Sequence, residues 1–473
     1  MPPIATRLVN SGLTVCRTLV SALRGGHHDY TTGSMRHALV LLAAPIMLEM
    51  FAQSLLLVTS VFWVSKIGSG AVAVVGLTEV VMSLVYAFSV GMSFAAGAFV
   101  ARRIGEGGSS DAASRGVAQV VMLGWIISIT LGFSLWLFGE RVLLVLGAAP
   151  DIAASGAPYV KTMFLGNITV FTMFLLNAIL RGCGDPAYSM RTLWLVNIVN
   201  FVATPCLIFG VGPFPALGLT GVAVAIIFSR SVGVAFQFWR LTSGKGRLQL
   251  RLRHFVPVGG DMRRIAQMSW SGIAQMVISN TSGLGLFSIA ALSGTVALAG
   301  ATIAMRIVQF IMLPGVGIAF AAATLVGQNL GAGQPERASD AIRIATRMNI
   351  VLMSVLTGVL LVVARPIAML FTTQPDVVRE ATIAIRIVVS AFPLYAAAMS
   401  LEAAFNGAGD TWTPALINFV CLWCVQIPLA WVLSTRFGLG TTGVYISVPI
   451  SFTLMMALTA WLYMRGRWKT HVI

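Results

Sequence analysis

Asn177-Ala-Ile-Leu-Arg181-Gly-Cys-Gly-Asp185 closes one apolar run of this chain, and Glu402-Ala-Ala-Phe-Asn406-Gly-Ala-Gly-Asp410 closes another, 225 residues further on. Both strings read alike: the last turns of a long helix, a Gly-Xaa-Gly break, and a carboxylate placed to cap the helix that follows. Two more strings repeat at nearly the same spacing. Val100-Ala-Arg-Arg-Ile-Gly105-Glu-Gly107 matches Val326-Gly-Gln-Asn-Leu-Gly331-Ala-Gly333 at 226, and Gly218-Leu-Thr-Gly221-Val matches Gly440-Thr-Thr-Gly443-Val at 222. Three colinear matches make the chain a duplicated structure of two halves.

The material of those halves excludes a soluble domain. Of 473 residues, 57% are hydrophobic and 10% charged, too little charge to cover a water-facing surface of this size. Apolar runs of roughly 20 residues recur from end to end, each long enough to cross the hydrocarbon layer as a helix. Lipid offers the backbone no hydrogen bonds, so these runs are helices rather than open sheet. The predicted spans lie near 38–64, 72–100, 117–138, 158–180, 187–210 and 217–240, then 265–292, 296–326, 344–370, 378–405, 412–434 and 440–464. The expected class is an all-α integral membrane protein of about twelve spans. Its parts would be a cytoplasmic tail (1–35), a six-helix bundle (36–240), a cytoplasmic linker (241–264), a second six-helix bundle (265–465) and a short tail (466–473). Within the first tail, Leu8 to Leu23 with Arg7, Arg17 and Arg24 reads as an interfacial amphipathic helix or an unordered arm.

A net charge of +16 raises the question of a nucleic-acid partner, and the distribution answers it. The basic residues form no face or tail; they fill the gaps between apolar runs. Counted by loop parity, twenty-two of the 31 lie on the side of the N-terminus, six on the other and three (Arg230, Arg306, Arg386) inside spans. That asymmetry predicts cytoplasmic termini, an inner or plasma membrane location and an even number of spans. With six spans per half, both halves enter the membrane from one side, so the repeat is parallel. Two such bundles with a site between them suit alternating access. The five cysteines make no disulfide framework, and Cys421 and Cys424, despite their CxxC spacing, sit in an apolar helix without His or acidic partners. All five histidines fall in tails, loops or the first residue of a span, which leaves no buried catalytic or metal cluster and argues against an enzyme. No cofactor and no nucleic acid is expected; the partners are a small molecule and the lipid, with the chain acting as a monomer.

Order and placement of several strings then carry a family likeness. They are Pro45 in span 1, Lys66-Ile-Gly68 at its end, Val74-Val-Gly76-Leu77 opening span 2, Arg181-Gly-Cys-Gly-Asp185, Leu325-Val-Gly-Gln-Asn-Leu-Gly331 and Asn406-Gly-Ala-Gly-Asp410. On these, over residues 34–465, the chain resembles the multidrug and toxic compound extrusion (MATE) family. The resemblance implies a V-shaped pair of six-helix bundles exporting a compound in exchange for H⁺ or Na⁺. It also exposes a departure. The family's N-terminal cation site uses an Asp fifteen residues after the span 1 proline, here Ser60, and an Asn and Asp four apart on span 5, here Asn200 and Thr204. Its alternative site uses acids on spans 7 and 10; span 7 has none here and the span 10 position falls near Tyr395. A major-facilitator transporter and a flippase for a lipid or lipid-linked substrate are the competing classes, the first opposed by the turns after spans 4 and 10.

With the usual acids gone, coupling must fall on others. Of 15 acidic residues, three lie inside spans: Glu49, Glu79 and Glu402. An ionised acid at mid-bilayer costs about 2.5–3.5 kcal/mol on insertion scales, so such residues usually serve a function. Glu402 occupies a position whose repeat equivalent, Asn177, is also polar; a hydrogen bond to a helix end is the structural alternative. Glu49 lies four residues past Pro45, whose missing N–H weakens the helix there, with Gln53 one turn on along the same face; a structural hydrogen bond between helices is the alternative. Glu79 stands near the start of span 2, where snorkelling competes with a transport role. Arg306 sits one step from Met305, the repeat equivalent of Glu79, and either pairs with Glu79 across the pseudo-two-fold, pairs within its own bundle or reaches an interface. Methionine and aromatic side chains such as Met47, Met82, Tyr86 and Met305 on spans 1, 2 and 8 suit varied lipophilic ligands. Three buried acids and no buried His favour a cationic or neutral cargo.

Overall fold

A computed structural model describes residues 18–26, 29–107, 110–244 and 246–471; the amphipathic reading of Leu8 to Leu23 falls mostly outside them. After a short helix, α1 (18–24), the first half runs α2 (Met35–Val64), α3 (Ser69–Gly105), α4 (Ser110–Leu137), α5 (Gly139–Val145), α6 (Pro150–Leu165), α7 (Asn167–Gly182), α8 (Pro186–Phe209) and α9 (Gly218–Thr242). The second half runs α10 (Gly259–Ala291), α11 (Thr295–Gly331), α12 (Pro335–Met369), α13 (Pro375–Val389), α14 (Phe392–Ala408), α15 (Trp412–Asn418), α16 (Ile427–Trp431) and α17 (Gly440–Met464). Eleven of these helices or runs of helices are long and apolar enough to span a membrane, and α13 with α14, bent by 49°, makes up to twelve. Pro393 in the first turn of α14 explains why that span breaks, since it supplies no N–H to continue the ladder from α13. The corresponding span of the first half is interrupted at Gly166, between α6 and α7. Pro45, by contrast, leaves α2 unbroken over 30 residues.

By contacts the chain forms two compact units. One comprises the chain up to Asp29 and Val40–Ile273; the other takes Tyr30–Leu39 and everything from Ala274 onward. The division thus falls inside α10, nine residues beyond the end of the expected linker. The linker itself is tied to the first unit rather than free. Gln119 on α4 donates its side-chain amide to the Val256 carbonyl (2.8 Å) and accepts the Val258 N–H (3.0 Å), while Phe255 stacks on Trp125 at 5.8 Å.

Packing repeats where the sequence repeats. α7 is buried almost all round, with Val170, Phe171, Leu175, Leu176 and Ile179 in the core of the first unit. It approaches α3 so closely that a Cβ on Gly182 would stand 2.9 Å from the Gly97 carbonyl oxygen and 3.1 Å from Val100. In the second unit a Cβ on Gly407 of α14 would stand 2.4 Å from the Ala323 carbonyl oxygen and 2.9 Å from Val326 of α11. These are the same positions 225 and 226 residues on. Small residues let backbones touch where lipid gives no hydrophobic drive to bring helices together. Directly after each contact, Gly184 and Gly409 take left-handed φ values of 82° and 87° and turn the chain. The repeat is looser in the fifth span: α8 is a regular helix through Pro205, whereas wide π turns at Phe419–Gln426 and Val432–Arg436 flank Pro428.

Candidate functional site

The three membrane acids meet three different environments. Glu49 on α2 is fully buried, and its Oε1 accepts a 2.7 Å hydrogen bond from Nη1 of Arg181 at the end of α7. Between a titrating Glu49 and a structural hydrogen bond between helices, the structure shows a buried ion pair that ties α2 to α7. Removing one partner of such a pair is costly, because the other charge is left without compensation. Arg181 falls just past the predicted span 158–180 and so reads as a loop cation from the sequence. The second unit carries no copy of this pair: Gln275 stands at the position of Glu49 and Asn406 at that of Arg181, at the repeat spacings of 226 and 225.

Glu402 on α14 is 9% exposed. Its Oε1 is buried without a hydrogen bond, and no ion pair reaches it among the described residues. Tyr395 and Cys421 are its electrostatic neighbours, and Asn406, one turn on, also holds a buried Oδ1 without a donor. The repeat shows what is missing. In the first unit the equivalent Asn177 accepts a hydrogen bond from Gln237 of α9 at 2.5 Å. The residue 222 positions after Gln237 is Thr459, whose hydroxyl donates to Met455 of its own helix (2.7 Å). The second unit therefore places an acid where the first has an amide, and withholds the partner.

Glu79 on α3 is half-buried, and its charged neighbour is Arg230 of α9, within the same unit. Arg230 is 5% exposed, its guanidinium 6.0 Å from the centre of the Tyr86 ring, with Tyr159 of α6 nearby. That neighbour, on α9, was not among the partners the sequence suggested for Glu79. Arg306 is exposed and makes no ion pair among the described residues. Arg230 was legible as a mid-span cation, but nothing in the sequence links α9 to α3.

Among the remaining polar positions, Ser60 and Thr204 are buried and donate to their own helices, to Leu56 (2.9 Å) and Asn200 (2.7 Å). Asn200 reaches Ser229 at 3.5 Å and keeps Oδ1 without a donor. Gln53 is half-buried with no hydrogen bond among the described residues. The two aspartates of the repeated turns divide. Asp410 caps α15 through the Thr413 N–H (3.2 Å) and hydroxyl (2.6 Å), while Asp185 is taken by Arg240 at 3.0 Å and caps nothing. Two residues before Asp185, the Cys183 thiol is pushed up by burial and by the Asp185 carboxylate, which leaves it a protonated, inert filler.

Two duplicated helical units, spanning and apolar, with charges sealed inside them, define a membrane transporter scaffold rather than a catalyst. The chain belongs to the MatE family of transporters, whose family model matches once in each half, at residues 45–206 and 272–432. It is 25% identical over 441 residues to the probable multidrug resistance protein NorM of Thermotoga maritima, covering 93% of this chain and 94% of the relative. Against the protein of the same name from Deinococcus radiodurans identity is 28% over 443 residues, with 90% and 94% covered. The fold superimposes on a crystal structure of MATE in the bent conformation with a TM-score of 0.86 at 22% identity, over 95% of this chain and 98% of that one.

Proposed function

We propose that this protein is a proton-coupled efflux antiporter that exports a lipophilic cationic or neutral compound, with Glu402 as the group that takes up and releases the proton. The observation that carries the reading is the burial of the Glu402 carboxyl without a cation. A lone acid in a membrane bundle has its charge decided by one proton. Its ionised form carries the insertion cost of about 2.5–3.5 kcal/mol that the neutral form avoids, which is leverage enough to bias two conformations of a helical bundle. Glu49 cannot serve in the same way while Arg181 neutralises it, so it acts as a brace. The names of the NorM relatives support export of drugs, and the excess of Arg and Lys in alternate loops supports cytoplasmic termini in an inner or plasma membrane. Na⁺ is the weaker partner, since the family's N-terminal carboxylates are replaced by Ser60 and Thr204, hydroxyls already bonded to their own helices.

The test is reconstitution of the purified chain in liposomes with a fluorescent organic cation. Export against the dye gradient should follow an imposed pH gradient in sodium-free buffer. Transport driven by a Na⁺ gradient at equal pH, and not by protons, would overturn the coupling assignment. Movement of a labelled lipid between leaflets without dye transport would replace the efflux reading with a flippase.

A further inference from the structure

In the first unit, α3 and α10 touch backbone to backbone. A Cβ on Gly91 of α3 would stand 2.5 Å from both Cα and N of Ile273 on α10, and a Cβ on Gly272 would meet the Gly91 carbonyl oxygen. Gly91 and Gly272 both belong to the first unit, and α10 passes into the second directly after Ile273. The surfaces that meet carry little to interlock. Ala87, Gly91 and Ala95 share one side of α3, all buried, and Ser269, Gly272 and Gln275 follow at three-residue spacing on α10. Ser269 Oγ and Gln275 Oε1 are buried and form no hydrogen bond among the described residues. The contact of α7 with α3 differs, because there the Gly182 position also faces the Val100 side chain. The start of α10 is equally loose. Gln119 holds the Val258 N–H at 3.0 Å, and α10 then opens on Gly259-Gly260, where added Cβ atoms would meet nothing within 4 Å, so no packing requires glycine there.

These features describe a joint rather than a seam. Glycines that face backbone instead of side chains let one helix slide or turn over another, the small shear by which packed helices move. Two glycines in the first turn leave its backbone free to swivel. α10 is one helix of 33 residues, Gly259–Ala291, without a proline, so its second half cannot move without turning its first. Motion of the second unit therefore arrives at Gly272. We propose that Gly91 and Gly272 are positioning residues for transport, forming the bearing on which α10 turns against α3 as the cargo path opens and closes. A methyl group at either position jams it, because the helices can no longer approach this closely, and the arrangement in which they part is then favoured. The proposal rests on the transporter reading only in that the two units move during export, and it holds for any coupling ion.

Reaction of Ser269→Cys with a methanethiosulfonate reagent, in the full chain in lipid nanodiscs, tests the assignment; peptide mass spectrometry separates this thiol from the native ones. Adding Gly91→Ala should raise the rate about tenfold as the helices part. Gly283→Ala lies on the same helix in the second unit, with nothing within 4 Å of the added Cβ, and should leave the rate unchanged. In liposomes, ethidium export per folded molecule should fall about tenfold in Gly91→Ala and in Gly272→Ala, with equilibrium binding of ethidium within about threefold of wild type. A contact that only packs would lower the melting temperature and leave labelling and turnover per folded molecule as they were, which would overturn the proposal. An unchanged labelling rate at unchanged melting overturns it as well. So does failure of both alanine variants to fold, since a bearing can part and a fixed seam cannot. A wild type that exports no ethidium would fault the efflux reading, and the labelling comparison would still decide the bearing.

Discussion

The two halves of this transporter treat a buried acid in opposite ways. In the first, Glu49 is locked to Arg181 at 2.7 Å with neither side chain exposed to water beyond a few per cent. In the second, the matching positions hold the neutral Gln275 and Asn406, and the acid is Glu402, one turn before Asn406 and without a cation. Duplication supplied the same polar positions to both bundles. Their charges differ: one half holds its carboxylate in an ion pair between helices, and the other buries a carboxylate without a cation among the described residues.

That contrast is open to direct attack. The largest effect should come from Glu49→Gln or Arg181→Gln alone, each of which orphans part of a fully buried pair. A loss of about 3–5 kcal/mol is expected, visible as a collapse of melting temperature or yield in detergent, and the double variant should recover most of it. Glu402→Gln should melt close to wild type, since it strands no partner; equal destabilisation by Glu49→Gln and Glu402→Gln would erase the distinction. Next in size, Gly407→Ala should cost about 1–3 kcal/mol through overpacking. It should exceed Gly182→Ala, whose Cβ meets the facing carbonyl oxygen at 2.9 Å rather than 2.4 Å. Thermal unfolding of the pair measures how far the packing of the two halves is equivalent. The smallest effect is at the turns. Asp410→Ala should lose a helix cap worth about 1 kcal/mol, and Asp410→Asn should restore most of it. At Asp185 an Asn should not rescue, because the lost partner is the Arg240 guanidinium.

Much of this fold is legible in the sequence for a physical reason. Lipid forbids unsatisfied backbone, so apolar length alone locates helices, and α2, α8, α9, α11 and α17 begin and end within a few residues of their apolar runs. The repeat was equally visible, because a contact as tight as Gly182 on Gly97 tolerates no larger side chain and leaves its mark in both copies. The bend between α13 and α14 was less so, since Pro393 lies inside an apolar run of ordinary length. For the site, the sequence identifies which residues are acidic and at what depth, but not what faces them. Glu49 and Arg181 are 132 positions apart, and the nearness of the Arg230 charge to Glu79 needs α3 and α9 in one unit. Likewise nothing in the sequence links Glu380 to Thr441 and Tyr445, which come from a helix more than 60 positions later.

Proton flux is the quantity that decides between brace and switch. In liposomes with an imposed pH gradient, dye-dependent proton movement should disappear in Glu402→Gln and persist in the Glu49→Gln/Arg181→Gln double variant. If the double variant loses proton flux while Glu402→Gln retains it, the roles assigned to the two acids are reversed and the account fails.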